Sequence, residues 1–290
     1  MTSVIQPTWT HEYITTNGVK LHYVTQGDGP LMLMLHGFPE FWYSWRHQIP
    51  EFAKDFKVVA LDLRGYNLSD KPEEKSAYVM DEFVKDVQGV IKGLGYDKCI
   101  LVGHDWGGAI AWNFAYTHPE MLERLIILNL PHPAKFSQGL RNPQQMLRSS
   151  YMAFFQLPWL PELAIQMGNY APIETAFKGM AVNKNAFSQA DIDAYKSAAA
   201  KPGALTAMLN YYRNIFDQKL LQENWGVLQV PTLMIWGEED TALGKELSYG
   251  TEAYVKDFQI KYIPNCSHWV QQEKPDLVNQ YMRDFLRVSI

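Results

Sequence analysis

The chain has 290 residues, 47% of them apolar, and its 26 basic and 31 acidic residues leave a net charge of −5. Scattered Lys and Arg with an acidic balance argue against nucleic acid or an anionic membrane surface as the main partner. Two cysteines, Cys99 and Cys266, are too few for a disulfide scaffold and fit a reducing cytoplasm. The start, Met1-Thr2-Ser3-Val4-Ile5-Gln6-Pro7, reads as no signal peptide. No apolar run approaches the ~20 residues of a spanning helix. A cytoplasmic location is therefore expected. Aromatic residues reach 13% of the chain, with 14 Phe, 16 Tyr and 9 Trp, and that surplus needs an address.

In chain order, Glu12–Thr16 and Val19–Val24 are β-rich runs joined by Asn17-Gly18, a strong hairpin signal. Apolar runs follow at Leu31–Leu35, Val58–Leu63, Cys99–Val102, Leu125–Leu128, Thr232–Trp236 and Phe258–Ile263. Each reads as a strand buried on both faces. Helical patterns at Asp81–Leu94, Gly107–Thr117 and Asp276–Arg287 separate or follow them. Alternation of this kind predicts an α/β fold with a mainly parallel sheet flanked by helices. From about Pro133 to Phe216 strands are missing and proline-punctuated helices take over. The expected organisation is a core at 1–133 and 217–290 carrying a helical cap, or lid, at 134–216.

Gly103-His104-Asp105-Trp106-Gly107-Gly108 follows one apolar run and opens a helical pattern. That is the strand–turn–helix setting of a nucleophile elbow, with Asp105 where Ser usually stands. The alternative reading of Asp105 is a helix-capping residue. As a nucleophile, a carboxylate is ionised at neutral pH and needs no base to attack. Its natural target is a strained or activated sp³ carbon, and the product is an ester that water must cleave. His268 in the last loop and Asp240 after the run Thr232–Trp236 supply the base and its orienter. The order Asp105, Asp240, His268 is that of the α/β-hydrolase fold. Glu239 competes with Asp240 for the acid's role.

His36-Gly37-Phe38-Pro39 closes the run Leu31–Leu35, where this fold places an oxyanion-hole amide. The expected donors are the backbone N–H groups of Phe38 and Trp106. His36 and His104 read as structural. Tyr212 shares an apolar stripe with Leu205, Met208, Leu209, Ile215 and Phe216, and Tyr151 with Leu147, Phe154 and Phe155. From spacing alone, both tyrosines pack in the insertion. A buried phenol still needs a hydrogen-bond partner, and it suits an oxygen gaining charge.

Over nearly its whole length the chain resembles the α/β-hydrolase-fold epoxide hydrolases. The resemblance rests on His36-Gly37-Phe38-Pro39-Glu40 with Trp42-Tyr43-Ser44-Trp45-Arg46, on Asp62-Leu63-Arg64-Gly65-Tyr66 and on the Asp105 elbow. Ser150–Gln156, Leu209–Asn214 and Ser267-His268-Trp269 with Glu273-Lys274-Pro275 extend it. It implies Asp105 as nucleophile, Tyr151 and Tyr212 as polarisers of the epoxide oxygen, His268 as activator of water and Asp240 as its orienter. The implied substrate is a small apolar epoxide and the co-substrate water, with no metal or organic cofactor. Phe38, Trp106, Phe154 and Trp269 would line the substrate site, and the assembly would be a monomer or homodimer. Asn67 and Ser267 stand where the family often has Gly.

Rival readings keep the same elbow. Haloalkane and haloacid dehalogenases use such an Asp, but haloalkane enzymes tend to have Asn where Phe38 stands, and fluoroacetate enzymes have Arg where Trp106 stands. A non-catalytic ligand-binding protein on this fold is a third reading, against which the intact Asp105, Asp240 and His268 argue. An esterase lacks its Ser.

Overall fold

The structure is a computed structural model and describes residues 9–215 and 225–287. The signal-peptide reading of Met1–Pro7 and the expected cap boundary at 216 and 217, with Phe216, lie outside the described residues. Eight strands form one sheet: β1 (Thr10–Thr16), β2 (Val19–Gln26), β3 (Leu31–Leu35), β4 (Lys57–Leu61), β5 (Cys99–His104), β6 (Leu122–Leu128), β7 (Thr232–Gly237) and β8 (Phe258–Ile263). Their order is β1-β2-β4-β3-β5-β6-β7-β8. β2 pairs antiparallel with β1 and with β4, and all other pairs are parallel. Asn17 and Gly18 both take positive φ in the hairpin turn, as Asn-Gly should.

The central strands β3, β5 and β7 are buried from end to end, so their apolar runs cover both faces of the sheet. β8 departs from that expectation, with only Ile263 buried. It is the last strand in the order, and one edge has no neighbour. Three helices support the core: α1 (Ile49–Phe52), α2 (Met80–Gly93) and α3 (Trp106–Thr117). α3 is buried along most of its length against β5 and β6.

Between β6 and β7 the described elements are helices joined by turns, with one isolated bridge from Leu228 to Val255. The α-helices are α4 (Pro133–Gly139), α5 (Pro143–Arg148), α6 (Tyr151–Phe155), α7 (Leu160–Glu174), α8 (Gln189–Ala199) and α9 (Ala204–Arg213). α7 is interrupted at Met167–Tyr170, where three successive residues take left-handed angles. Ser188 and Asp191 form a reciprocal capping box at the start of α8. After β8 come α10 (Val270–Glu273) and α11 (Pro275–Arg287), the latter burying Val278, Met282 and Phe285 at helical spacing.

The stripe expected to join Leu147 to Tyr151, Phe154 and Phe155 does not form. α5 ends at Arg148 and α6 begins at Tyr151, so no single helix carries the period across. Leu147 is exposed, and Phe155 rather than Phe154 is buried.

Candidate active site

Five loops at the carboxyl ends of parallel strands meet over one cavity, the usual ligand position in open α/β folds. They supply Phe38 after β3, Asp105 after β5, Asn129 after β6, Asp240 after β7 and His268 after β8. Asp105 sits at φ 48°, ψ −121°, a conformation that a non-glycine residue holds only at a cost. Gly107 makes the turn possible, because a Cβ there would lie 2.6 Å from the His36 carbonyl oxygen. Asp105 occupies the N-cap position of α3 but makes no side-chain capping bond. Its carboxylate faces the cavity.

Oδ1 of Asp105 accepts the Phe38 amide at 2.8 Å, and Oδ2 lies 3.7 Å from Nε2 of His268. Nδ1 of His268 is 2.7 Å from Oδ2 of Asp240. The other Asp240 oxygen accepts the amides of Ala242 and Leu243 at 2.8 and 2.9 Å, so the carboxylate builds its own turn as well as meeting the histidine. Glu239 is exposed. Asn129, fully buried, donates to Oδ2 of Asp240 at 2.8 Å and accepts the Gly237 amide at 2.9 Å.

Burial opposes an imidazolium at His268, yet Asp240 and then Asp105 outweigh it and raise its pKa well above the ordinary value. Burial likewise opposes the Asp105 carboxylate. His268 above all, with His104 and the Phe38 amide, outweighs that and holds it below the usual carboxylate range. The Trp106 amide, expected as a second donor, makes no hydrogen bond to Asp105 among the described residues. Oδ1 is turned to Phe38, and Trp106 opens α3, where first-turn amides lack intrahelical partners.

Tyr151 and Tyr212 both line the cavity, their rings 5.8 Å apart. Tyr212 also packs edge-on against Phe38 and Trp106, each at 5.2 Å. Burial keeps both phenols neutral, and the charge of Asp105 acts in the same direction. Tyr211, its neighbour, turns away and donates to the Arg64 carbonyl at 2.6 Å. The cavity measures about 350 Å³ and is lined mainly by apolar groups, among them Phe38, Trp106, Met152, Phe155, Met180 and Trp269. Phe154, expected in this lining, is absent from it and 37% exposed, because the break before α6 gives the inward face to Tyr151 and Phe155.

The sequence reading named Glu40 within a motif and gave it no role. Wholly buried, its Oε2 accepts the Gly37 amide at 2.8 Å and faces Nδ1 of His104 at 2.7 Å. Its Oε1 accepts Gln272 at 2.7 Å and Gln271 at 3.1 Å. Nε2 of His104 meets the His268 carbonyl at 2.9 Å, which ties the elbow to the histidine loop. His36 links the ends of β3 and β4, its Nδ1 directed at the Gly37 carbonyl and its Nε2 accepting the Leu63 amide. Asn67 takes positive φ, and Ser267 is held by Glu273.

Among the described residues, no group of His, Cys, Asp and Glu could hold a metal ion, and no helix is long and apolar enough to cross a membrane. The family profile described as alpha/beta hydrolase fold matches residues 30–275. Epoxide hydrolase 4 of Mus musculus is 43% identical over 288 residues, covering 96% of this chain and 80% of that protein. Epoxide hydrolase 3 of Xenopus tropicalis is 43% identical over 287 residues, covering 96% and 78%. The crystal structure of Bacillus megaterium epoxide hydrolase with an inhibitor superposes with a TM-score of 0.89 at 42% identity, over 95% of this chain and 99% of that one. This chain belongs to the epoxide hydrolase family of the alpha/beta hydrolase fold.

Proposed function

We propose that the protein hydrolyses a small apolar epoxide to a vicinal diol, with Asp105 as nucleophile. The observation that carries the reading is the pair of neutral phenols, Tyr151 and Tyr212, sharing one apolar cavity with an ionised Asp105. Two proton donors facing a carboxylate suit a substrate whose leaving group is an oxygen that stays attached. Halide release has no use for them. Ester cleavage by a serine route lacks its nucleophile.

With Oδ1 held by Phe38, the free oxygen Oδ2 attacks the ring carbon from the side opposite the C–O bond. That bond breaks, and the alkoxide receives its proton by way of Tyr151 or Tyr212, the imidazolium of His268 making good the loss. Esterification removes the charge of Asp105. His268 then keeps Asp240 alone as a carboxylate neighbour, its pKa falls, and it becomes the base that water needs. Water adds to Cγ of Asp105 while His268 takes its proton. The oxyanion on Oδ1 is met by the Phe38 amide and by the Trp106 amide. Collapse breaks the Cγ–Oδ2 bond, Oδ2 leaving with the proton of His268 as the second hydroxyl of the diol. The proton left on the new carboxyl passes to His268, which restores Asp105 carboxylate and His268 imidazolium. Asp240 orients the histidine throughout.

On this reading residues 134–216 form a cap that carries both phenols over the core and, with Phe38, Trp106 and Trp269, shields the carboxylate from bulk water. The test is a single turnover of styrene oxide in heavy-oxygen water with enzyme in excess. Unlabelled diol and labelled Asp105 are expected. Label in the first diol means direct attack by water and overturns the ester route.

A further inference from the structure

We propose that the outer face of the helical segment between β6 and β7 docks on an anionic lipid bilayer. Two independent observations carry this. The first is where the large exposed apolar side chains lie. Of twelve such residues described, eight fall between Met146 and Met167, so they are not the scattered single residues of an ordinary surface. Leu160, Leu163 and Met167 repeat at helical spacing along the first half of α7, and Met167 is 69% exposed. Trp159, 66% exposed, caps that helix at φ 54°, an angle a bulky residue adopts only under strain. Phe154 and Leu157 extend the patch toward α6. The opposite faces of α5 and α6 line the cavity through Arg148, Tyr151, Met152 and Phe155. The patch is thus the outside of the cavity wall.

The second observation is charge. The chain-wide balance of −5 conceals a division. Residues 134–215 carry eight basic and four acidic side chains, leaving 18 basic and 27 acidic in the rest of the chain. Glu162 and Arg213 pair beside the patch, and setting that pair aside leaves seven basic and three acidic side chains in the segment. A second groove beside the patch is lined by Trp159, Leu163 and Pro158 with Lys75 and the paired Arg213 and Glu162. Tryptophan and aliphatic side chains beside basic ones are the composition of a surface that rests in a lipid interface. The sequence reading set aside anionic surfaces on total charge. The division of that charge reverses the argument for this segment. A symmetric pairing of two copies through it would set basic segment against basic segment, which is unfavourable. An anionic bilayer is complementary to it.

Flotation of the full chain with vesicles tests the proposal, using phosphatidylcholine alone and phosphatidylcholine mixed with phosphatidylglycerol. The protein should float with the mixed vesicles, less with the neutral ones, and less again as salt rises. The combined change Trp159→Ser and Leu163→Ser, outside the cavity lining, should weaken binding by about tenfold or more. An unchanged circular dichroism spectrum and an unchanged rate on a dissolved epoxide would show that the fold survives. The proposal is overturned if the protein floats with neither vesicle, or if the double variant binds as well as the parent. It is also overturned if sedimentation shows a dimer in buffer that the same two changes abolish, since that assigns the face to a second copy.

Discussion

The Phe38 amide donates to Oδ1 of Asp105 at 2.8 Å, and this bond leaves Oδ2 as the oxygen that attacks in the proposed reaction. Gly37 makes the approach possible. A Cβ at that position would lie 2.6 Å from Oδ1 and 2.9 Å from Cγ of Asp105. Gly37→Ala should therefore rotate the carboxylate away from the Phe38 amide and lower kcat/KM for an epoxide on the order of 10²-fold. Kinetics together with a thermal melt check this. Full activity with an unshifted melt would mean that the carboxylate needs no such hold.

Tyr151 and Tyr212 act, in the proposed reaction, only while the ring opens. Tyr151→Phe and Tyr212→Phe should each slow formation of the alkyl-enzyme on the order of 10²-fold, as loss of one donor to a developing oxyanion does elsewhere. Hydrolysis of the ester, once formed, should be little changed. Rapid-quench measurements separate the two steps. If the loss falls on hydrolysis instead, the phenols serve the second step and the assignment is wrong.

Glu40 gathers four donors in a fully buried place and joins the β3 loop to His104. Removing it in Glu40→Ala leaves the donors of Gly37, His104, Gln271 and Gln272 without their acceptor. Each buried donor left unsatisfied costs about 1–3 kcal/mol. Denaturant unfolding should register that loss. Activity should fall with it, because His104 also contacts the His268 carbonyl. A variant of unchanged stability would show that Glu40 is dispensable to the loop cluster.

What could be read in the sequence depended on whether a local signal existed. Strand boundaries fell within a few residues of the apolar runs because burial on both faces leaves a continuous pattern, as in Leu31–Leu35. Asp105, Asp240 and His268 were legible because a strand end, a turn and a chain order announce them. Glu40 and Asn129 were not, since a lone polar residue after a strand looks the same whether it gathers four partners or none. Phe154 was misplaced because periodicity assumes an unbroken helix, and the turn at Ser149 and Ser150 breaks it. Total charge concealed the basic helical segment in the same way, by averaging over parts that fold apart.

The pH dependence follows from His268 and Asp105, the two shifted groups of the site whose charge changes in the proposed reaction. The His268 pKa lies above its ordinary 6.5. Its pairing therefore stabilises the fold below that value and is lost as pH rises through the folded-state pKa. Asp105 lies below its ordinary 3.8, so its contribution is present above that value and is lost as pH falls through the depressed one. In the proposed reaction alkylation needs ionised Asp105 and the His268 imidazolium, both kept in acid, and should hold its rate well below neutral pH. Hydrolysis needs neutral His268, and even with Asp105 esterified that form retreats as pH falls. The covalent ester should therefore accumulate at low pH, its steady-state fraction rising steadily from about pH 8 to about pH 5. Acid quenching during turnover, with intact-mass measurement of the protein, reads that fraction directly. A fraction independent of pH would mean that His268 does not govern the second step.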